Sequence, residues 1–200
     1  MRLFRRGAGA GDRWLVAGLG NPGREYARSR HNAGKLALDE LLERIGGSFK
    51  RHKSGCFVAE GELSGQRVVL ARPISYMNES GRPLRALASF YKIDPIQTVV
   101  LHDEIDIPFG DVRIKFGGGT AGHNGLKSIV AHFGTQDFTR VRIGVSRPRS
   151  SRGAAGHVLG DFSAEERAEL PVMLARAADA VERILEVGVD RAMNELNTRK

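Results

Sequence analysis

The sequence predicts a single α/β domain built on a mixed, twisted sheet. Short apolar runs that end at Gly, Pro or Asp alternate with helical patterns along the chain. One run, residues 112–116, alternates in polarity as an edge or antiparallel strand does, so the sheet is mixed. A length of 200 residues suits one well-cored domain.

The elements follow in order. Trp14, Leu15, Val16, Ala17, Gly18 and Leu19 form a buried strand that stops at a Gly/Pro turn. Residues 33–45 carry Leu36, Leu38, Leu41, Leu42 and Ile45 at helical spacing, and Gly46-Gly47 end that helix. Residues 57–63 and 67–71 read as two strands around a Ser64-Gly65 turn. Residues 84–91 form a helix closed by Asp94-Pro95. Residues 98–102 are an apolar strand with Asp103 at its C-terminal end. After strand 112–116, Gly117-Gly118-Gly119 make a flexible loop into a helix over residues 125–133. Residues 141–145 are a further strand, and residues 147–156 read as the one mobile internal loop. The last third is helical. Ser163-Ala164-Glu165-Glu166 is a capping box, and Met173, Ala177, Val181, Ile184 and Leu185 form a core stripe.

Apolar content of 41% and charged content of 27% are those of an ordinary globular chain. No apolar run is long enough to cross a bilayer. The single cysteine, Cys56, allows no intramolecular disulfide, builds no zinc site alone, and suits the reducing cytoplasm. Residues 1–13 are expected to be a disordered basic tail. They lack the apolar core of a secretory signal, although the composition also fits a short transit peptide. Residues 14–200 are expected to form the domain. The net charge is +8, of which +3 belongs to the tail, so the body is basic in its own right and suits a polyanionic partner.

The chemistry gathers in three segments. The string Gly18-Leu19-Gly20-Asn21-Pro22-Gly23 follows a strand, as a dinucleotide-binding fingerprint does. Two features oppose that reading: residues after Pro22 form a loop, and Asp39 and Glu40 fall inside a helix rather than at a second strand end. His31, downstream of this turn, is a candidate general base. Asp103 is its candidate orienter, bonding one ring nitrogen and leaving the other free for a water proton. Asp103 could instead join Glu104, Asp106 and Asp111 around a metal ion. No Gly-x-Ser-x-Gly elbow is present and Cys56 has no nearby base, so activated water is favoured over a covalent route. Asn21, Asn78 and Asn124 each sit at a turn or helix entry, where Asn is common for structural reasons. Beside a base they also supply amide donors for an oxyanion. Residues 140–152 hold Arg140, Arg142, Arg147, Arg149 and Arg152 with no acid, and alternation places Arg140 and Arg142 on one face.

These segments together resemble the bacterial-type peptidyl-tRNA hydrolase family. The matching strings are Gly18 to Gly23 with Tyr26, Arg30-His31-Asn32-x-Gly34, Tyr76-Met77-Asn78-x-Ser80-Gly81, His102-Asp103-x-x-Asp106, and Gly117-Gly118-Gly119-x-x-Gly122-His123-Asn124-Gly125-Leu126. The resemblance runs from about Trp14 to Asn197. It implies a three-layer α/β/α globule with its cleft at the strand C-termini. It implies hydrolysis of the ester between a peptidyl group and the 3′-terminal ribose of tRNA, with the CCA end and acceptor stem as the bound partner. His31 would activate water and Asp103 orient it. Asn21, Asn78 and Asn124 would hold substrate and intermediate, with Tyr26 and Met77 lining the cleft and Lys115 and Arg142 binding tRNA phosphate. The family implies no metal, no organic cofactor and a cytoplasmic monomer. Ser29 and Ser75 stand where the family usually has Thr. Two other readings remain: an RNA-binding protein on this scaffold without hydrolysis, and a nicotinamide-dependent oxidoreductase.

Overall fold

The computed structural model describes residues 13–148 and 153–198. The basic stretch 1–12 and Arg149 and Arg152 lie outside the described residues. Seven strands form one sheet: β1 (Arg13–Gly18), β2 (Lys50–Arg51), β3 (Cys56–Leu63), β4 (Gln66–Pro73), β5 (Thr98–Glu104), β6 (Val112–Phe116) and β7 (Thr139–Gly144). Their spatial order is β2-β3-β4-β1-β5-β7-β6. The centre is parallel, through β4, β1, β5 and β7, and both margins are antiparallel. Arg13 belongs to the sheet rather than the tail: it pairs with Arg67 across β4, and its guanidinium lies 2.7 Å from Glu60.

Six helices complete the described chain: α1 (Ala33–Arg44), α2 (Gly81–Tyr91), α3 (Asn124–Phe133), α4 (Gly153–Leu159), α5 (Ala164–Val187) and α6 (Val189–Asn197). Period-two alternation sorts the central strands between two apolar layers. Val16, Val99, Leu101, Val141 and Ile143 meet α1, α5 and α6 on one face. Leu15, Ala17 and Val100 meet α2 and α3 on the other. The result is the expected three-layer α/β/α globule. Edge strand β6 is covered by the Asn197 amide, which accepts from Ile114 N–H at 2.9 Å and donates to its carbonyl at 2.8 Å.

Three local readings change. Helix α2 begins at Gly81, one turn before its apolar periodicity, because Pro83 sits in the first turn, where its missing N–H has no helical partner to lose. Residues 153–156, read as mobile loop, belong to α4. Tertiary bonds hold this short helix despite its two glycines: Arg30 reaches the carbonyls of His157 and Gly160, and the His157 ring bonds the Val145 carbonyl at 2.9 Å. The triple-glycine loop is pinned. The Arg140 guanidinium donates to the carbonyls of Gly118 and Gly119, each at 2.6 Å.

Candidate active site

His31 and Asp103 are 72 residues apart in sequence, yet the His31 Nδ1 lies 2.8 Å and 3.0 Å from the two Asp103 carboxylate oxygens. His31 sits on a 3-10 turn, Arg30–Asn32, that leads directly into α1. That turn is anchored from behind. Arg30 pairs with Glu166 at 2.5 Å, and its backbone N–H bonds the Gly160 carbonyl at 3.1 Å. Glu166 also closes the capping box of α5, so one carboxylate serves the helix end and the turn.

The Gly-x-Gly segment explains itself through packing. A β-carbon on Gly18 would lie 2.5 Å from the Gly34 carbonyl oxygen, and one on Gly20 would lie 2.8 Å from the Asn32 side-chain oxygen. These glycines admit α1 and its entry turn against the strand, and no helix N-terminus follows them to meet a pyrophosphate. Asn32 then clamps Asn21: its Oδ1 accepts from Asn21 N–H at 2.7 Å and its amide donates to the Asn21 carbonyl at 3.1 Å. The Asn21 Oδ1 accepts from Met77 N–H at 2.8 Å, which orients its Nδ2 as the remaining donor.

Asp103 has a second imidazole partner that the sequence reading did not assign. The His123 Nε2 lies 3.0 Å from Asp103 Oδ1. His123 is also the N-cap of α3, its Nδ1 accepting from Gly125 N–H and Leu126 N–H at 3.1 and 3.3 Å. Those two donors fix the tautomer, with the proton on Nε2 and aimed at the carboxylate. The sequence signal was the placement of His123 immediately before a helix, but His is an uncommon cap. Asp103 is only 3% exposed. Burial pushes its carboxyl up, but electrostatic attraction to His123 and the hydrogen bonds from His123 and His31 outweigh burial and hold it well below the usual carboxylate range. His102 packs edge-on to His123 at 4.9 Å. Its Nδ1 donates to the Asp103 carbonyl at 2.8 Å, and burial, with His123 adding to it, lowers it to about 3.

The metal alternative does not survive this geometry. Glu104, Asp106 and Asp111 each turn to an arginine, Arg142, Arg147 and Arg113. His31, Asp103 and His123 are close enough to share an ion. A metal at His123 would need a lone pair on the nitrogen that carries the proton, while the other nitrogen is occupied by two backbone donors.

The cleft holds about 560 Å³ and opens at the C-terminal ends of the parallel strands. Asn21, Tyr26, His31, Met77, Asn78, Asp103 and Asn124 all line it. Met77 is buried, whereas Asn78 and Asn124 lie exposed at its rim. Tyr76 and the α4 residues Val158 and Leu159 supply an apolar wall that the sequence reading did not include. The two basic candidates stand apart from the cleft lining, on β6 and β7. Arg142 is in register with His102 and pairs with Glu104 at 3.1 Å. Lys115 lies directly across from Arg140, and Arg113 from Arg142. Cys56 is buried in the α2–α3 layer and pushed up to about 12 by burial, far from a nucleophile.

The comparisons with known proteins give the family. Residues 15–200 match the family model described as Peptidyl-tRNA hydrolase. The chain belongs to the peptidyl-tRNA hydrolase family. It is 52% identical over 189 residues to the peptidyl-tRNA hydrolase of Arthrobacter sp., covering 94% of this chain and 97% of that one. It is 54% identical over 187 residues to that of Leifsonia xyli, covering 92% and 97%. The crystal structure of peptidyl-tRNA hydrolase from Acinetobacter baumannii superposes with a TM-score of 0.87 at 38% identity, over 97% of this chain and 99% of that one.

Proposed function

We propose that this enzyme hydrolyses the ester joining a peptidyl group to the 3′-terminal ribose of tRNA, releasing the peptide and free tRNA. Family membership supports the reaction, and one observation supports the chemistry: His31 is paired to Asp103 through Nδ1 and lines the cleft. Asp103, held ionised, accepts a hydrogen bond from Nδ1–H and so keeps Nε2 as the base. Nε2 takes a proton from water as the water oxygen attacks the ester carbonyl. The resulting imidazolium, stabilised by Asp103, returns the proton to the departing ribose oxygen. Side-chain amides of Asn21, Asn78 and Asn124 are the donors available to the substrate and to the tetrahedral oxyanion. Tyr26, Met77 and the apolar wall of Val158 and Leu159 suit the peptidyl chain and terminal base.

Lys115 and Arg142 are read as the phosphate contacts of the CCA end and acceptor stem. Support comes from four cations in register across β6 and β7, Lys115 facing Arg140 and Arg113 facing Arg142, of which only Arg113 and Arg142 have a carboxylate partner among the described residues, in Asp111 and Glu104. One copy of the chain contains every group of the cleft, which supports a monomer. No helix among the described residues is long and apolar enough to cross a membrane, and the one cysteine supports the reducing cytoplasm.

The test is release of an N-blocked amino acid from its tRNA, beside the same tRNA with a free amino group. Fast release of the blocked form supports the reading. A folded protein that binds tRNA and releases nothing would replace it with a non-catalytic RNA-binding role.

A further inference from the structure

The two outer layers of the sheet carry opposite charge. Helices α1, α5 and α6 hold eleven carboxylates against six Lys and Arg. Many of these charges neutralise one another, as in the Arg44 contacts with Glu40, Asp179 and Glu182 and the Arg183 contacts with Glu186 and Glu195. Helices α2 and α3 contain no Asp or Glu. Their cations are Arg82, Arg85 and Lys127, all exposed and with no ion pair among the described residues. Because Ile114, Val141 and Ile143 turn toward α5 and α6, the cations Arg113, Lys115, Arg140 and Arg142 lie on the same side of the sheet as α2 and α3. The carboxylates on this side are Glu104, bound to Arg142, Asp111, bound to Arg113, Glu60, bound to Arg13, Glu62, in register with Arg67, and Glu79, Asp94 and Asp137 at the ends of the elements.

The two helices are locked together next to these cations. Gly81 N–H donates to Ser128 Oγ at 2.9 Å, and a β-carbon on Gly81 would lie 2.0 Å from the Ser128 carbonyl oxygen. Arg82 and Lys127 are the chain neighbours of that contact. Arg85 follows Arg82 on the same helix face. Both helices start at the cleft: α3 at Asn124 itself, α2 three residues after Asn78. A strand whose 3′ end occupies the cleft therefore meets this positive surface within one or two helical turns, on the same side as Lys115 and Arg142.

We infer that the α2–α3 face is a second tRNA-binding surface, on which Arg82, Arg85 and Lys127 engage backbone phosphates outside the 3′ end. The inference rests on tRNA being the substrate. It commits to the tRNA body as the occupant through charge complementarity: an acid-free basic layer beside the cleft, with the net negative layer on the far side.

The test neutralises the three side chains together, Arg82→Gln, Arg85→Gln and Lys127→Gln, all exposed and outside the core. Affinity for tRNA is measured across a salt series. Turnover is measured on N-blocked aminoacyl-tRNA and on the same blocked amino acid esterified to a CCA trinucleotide. The expected result is a log–log salt slope shallower by about 2 to 3, at roughly 0.9 per duplex phosphate contact, and tRNA binding about 10- to 100-fold weaker at low salt. Turnover of the trinucleotide ester stays at the wild-type value. An Arg176→Gln/Arg191→Gln pair on the opposite face leaves the slope unchanged. An unchanged slope in the triple variant, equal loss on the trinucleotide ester, or the same loss from the opposite-face pair would overturn the inference. Failure of the hydrolase reading is separate: it shows as wild-type protein that releases nothing, and the binding slopes still decide the surface.

Discussion

Gly34 and Leu101 touch so closely that a β-carbon on Gly34 would lie 2.1 Å from the Leu101 carbonyl oxygen. Gly34 is three residues after His31, and Leu101 two before Asp103. This contact seats the start of α1 on β5, and so brings His31 to Asp103. Gly34→Ala forces the two backbones apart. The expected effect is a loss of about 3 kcal/mol in stability and a lower turnover number in the fraction that folds. Denaturant midpoints and turnover measured on one preparation check it, and wild-type values for both would remove the contact from the account.

His31→Ala is expected to lower turnover by about 10²- to 10⁴-fold, the usual contribution of a positioned base. Binding of tRNA should hold at the wild-type affinity. Parallel loss of affinity would make His31 a binding group instead.

His123 is assigned to positioning, through two separable bonds. His123→Asn keeps an acceptor for the first N–H groups of α3 but loses the bond to Asp103. His123→Ala loses both. The Asn variant should keep near wild-type thermal stability with a reduced turnover number and unchanged KM. The Ala variant should lose about 1 kcal/mol of stability in addition. Equal turnover in wild type and His123→Asn would confine His123 to the helix cap.

Stability should fall on acidification through His102. Burial, with His123 adding to it, holds its folded-state titration at about 3, against the ordinary histidine value of 6.5. Between these values the unfolded chain binds a proton that the folded ring refuses, so stability present above pH 6.5 is lost as the pH falls toward about 3. His102→Asn should flatten urea-unfolding free energies over that window. A slope identical to wild type would show that His102 takes no part.

Lys115 and Arg142 are predicted to differ. Lys115→Ala should weaken tRNA binding and lower its salt slope by about 1, with no change in stability. Arg142→Ala leaves Glu104, only 6% exposed, without its guanidinium, and should cost about 3 kcal/mol in stability as well. Adding Glu104→Gln should restore stability without restoring affinity. Recovery of affinity in the double variant would exclude Arg142 from phosphate binding.

Most of the fold was legible because its signals are local. The apolar runs of β1 and β5, the Ser64-Gly65 turn and the Ser163 capping box each depend on residues within a few positions. What misled was structure held by distant partners. Helix α4 has Gly153 and Gly156 in only seven residues and persists through Arg30 and His157. The triple-glycine loop looked free until Arg140, more than twenty residues later, was found bonded to two of its carbonyls. Within the site, His31 and Asp103 could be picked out by residue type and by position after a turn or strand. His123 and Asn32 could not, since each acts by holding another site residue.

By itself, the sequence determined the α/β class, the order of elements, the basic body and the residues that match the family, because periodicity, turn chemistry and motif strings are read along the chain. The tertiary structure alone decided that one carboxylate serves two imidazoles, that Arg140 braces a loop, and that the cations share one side of the sheet. Those outcomes depend on strand order and on close approaches such as Gly34 to Leu101, and residues far apart in sequence acquire a mutual distance and a common face only when the sheet has formed.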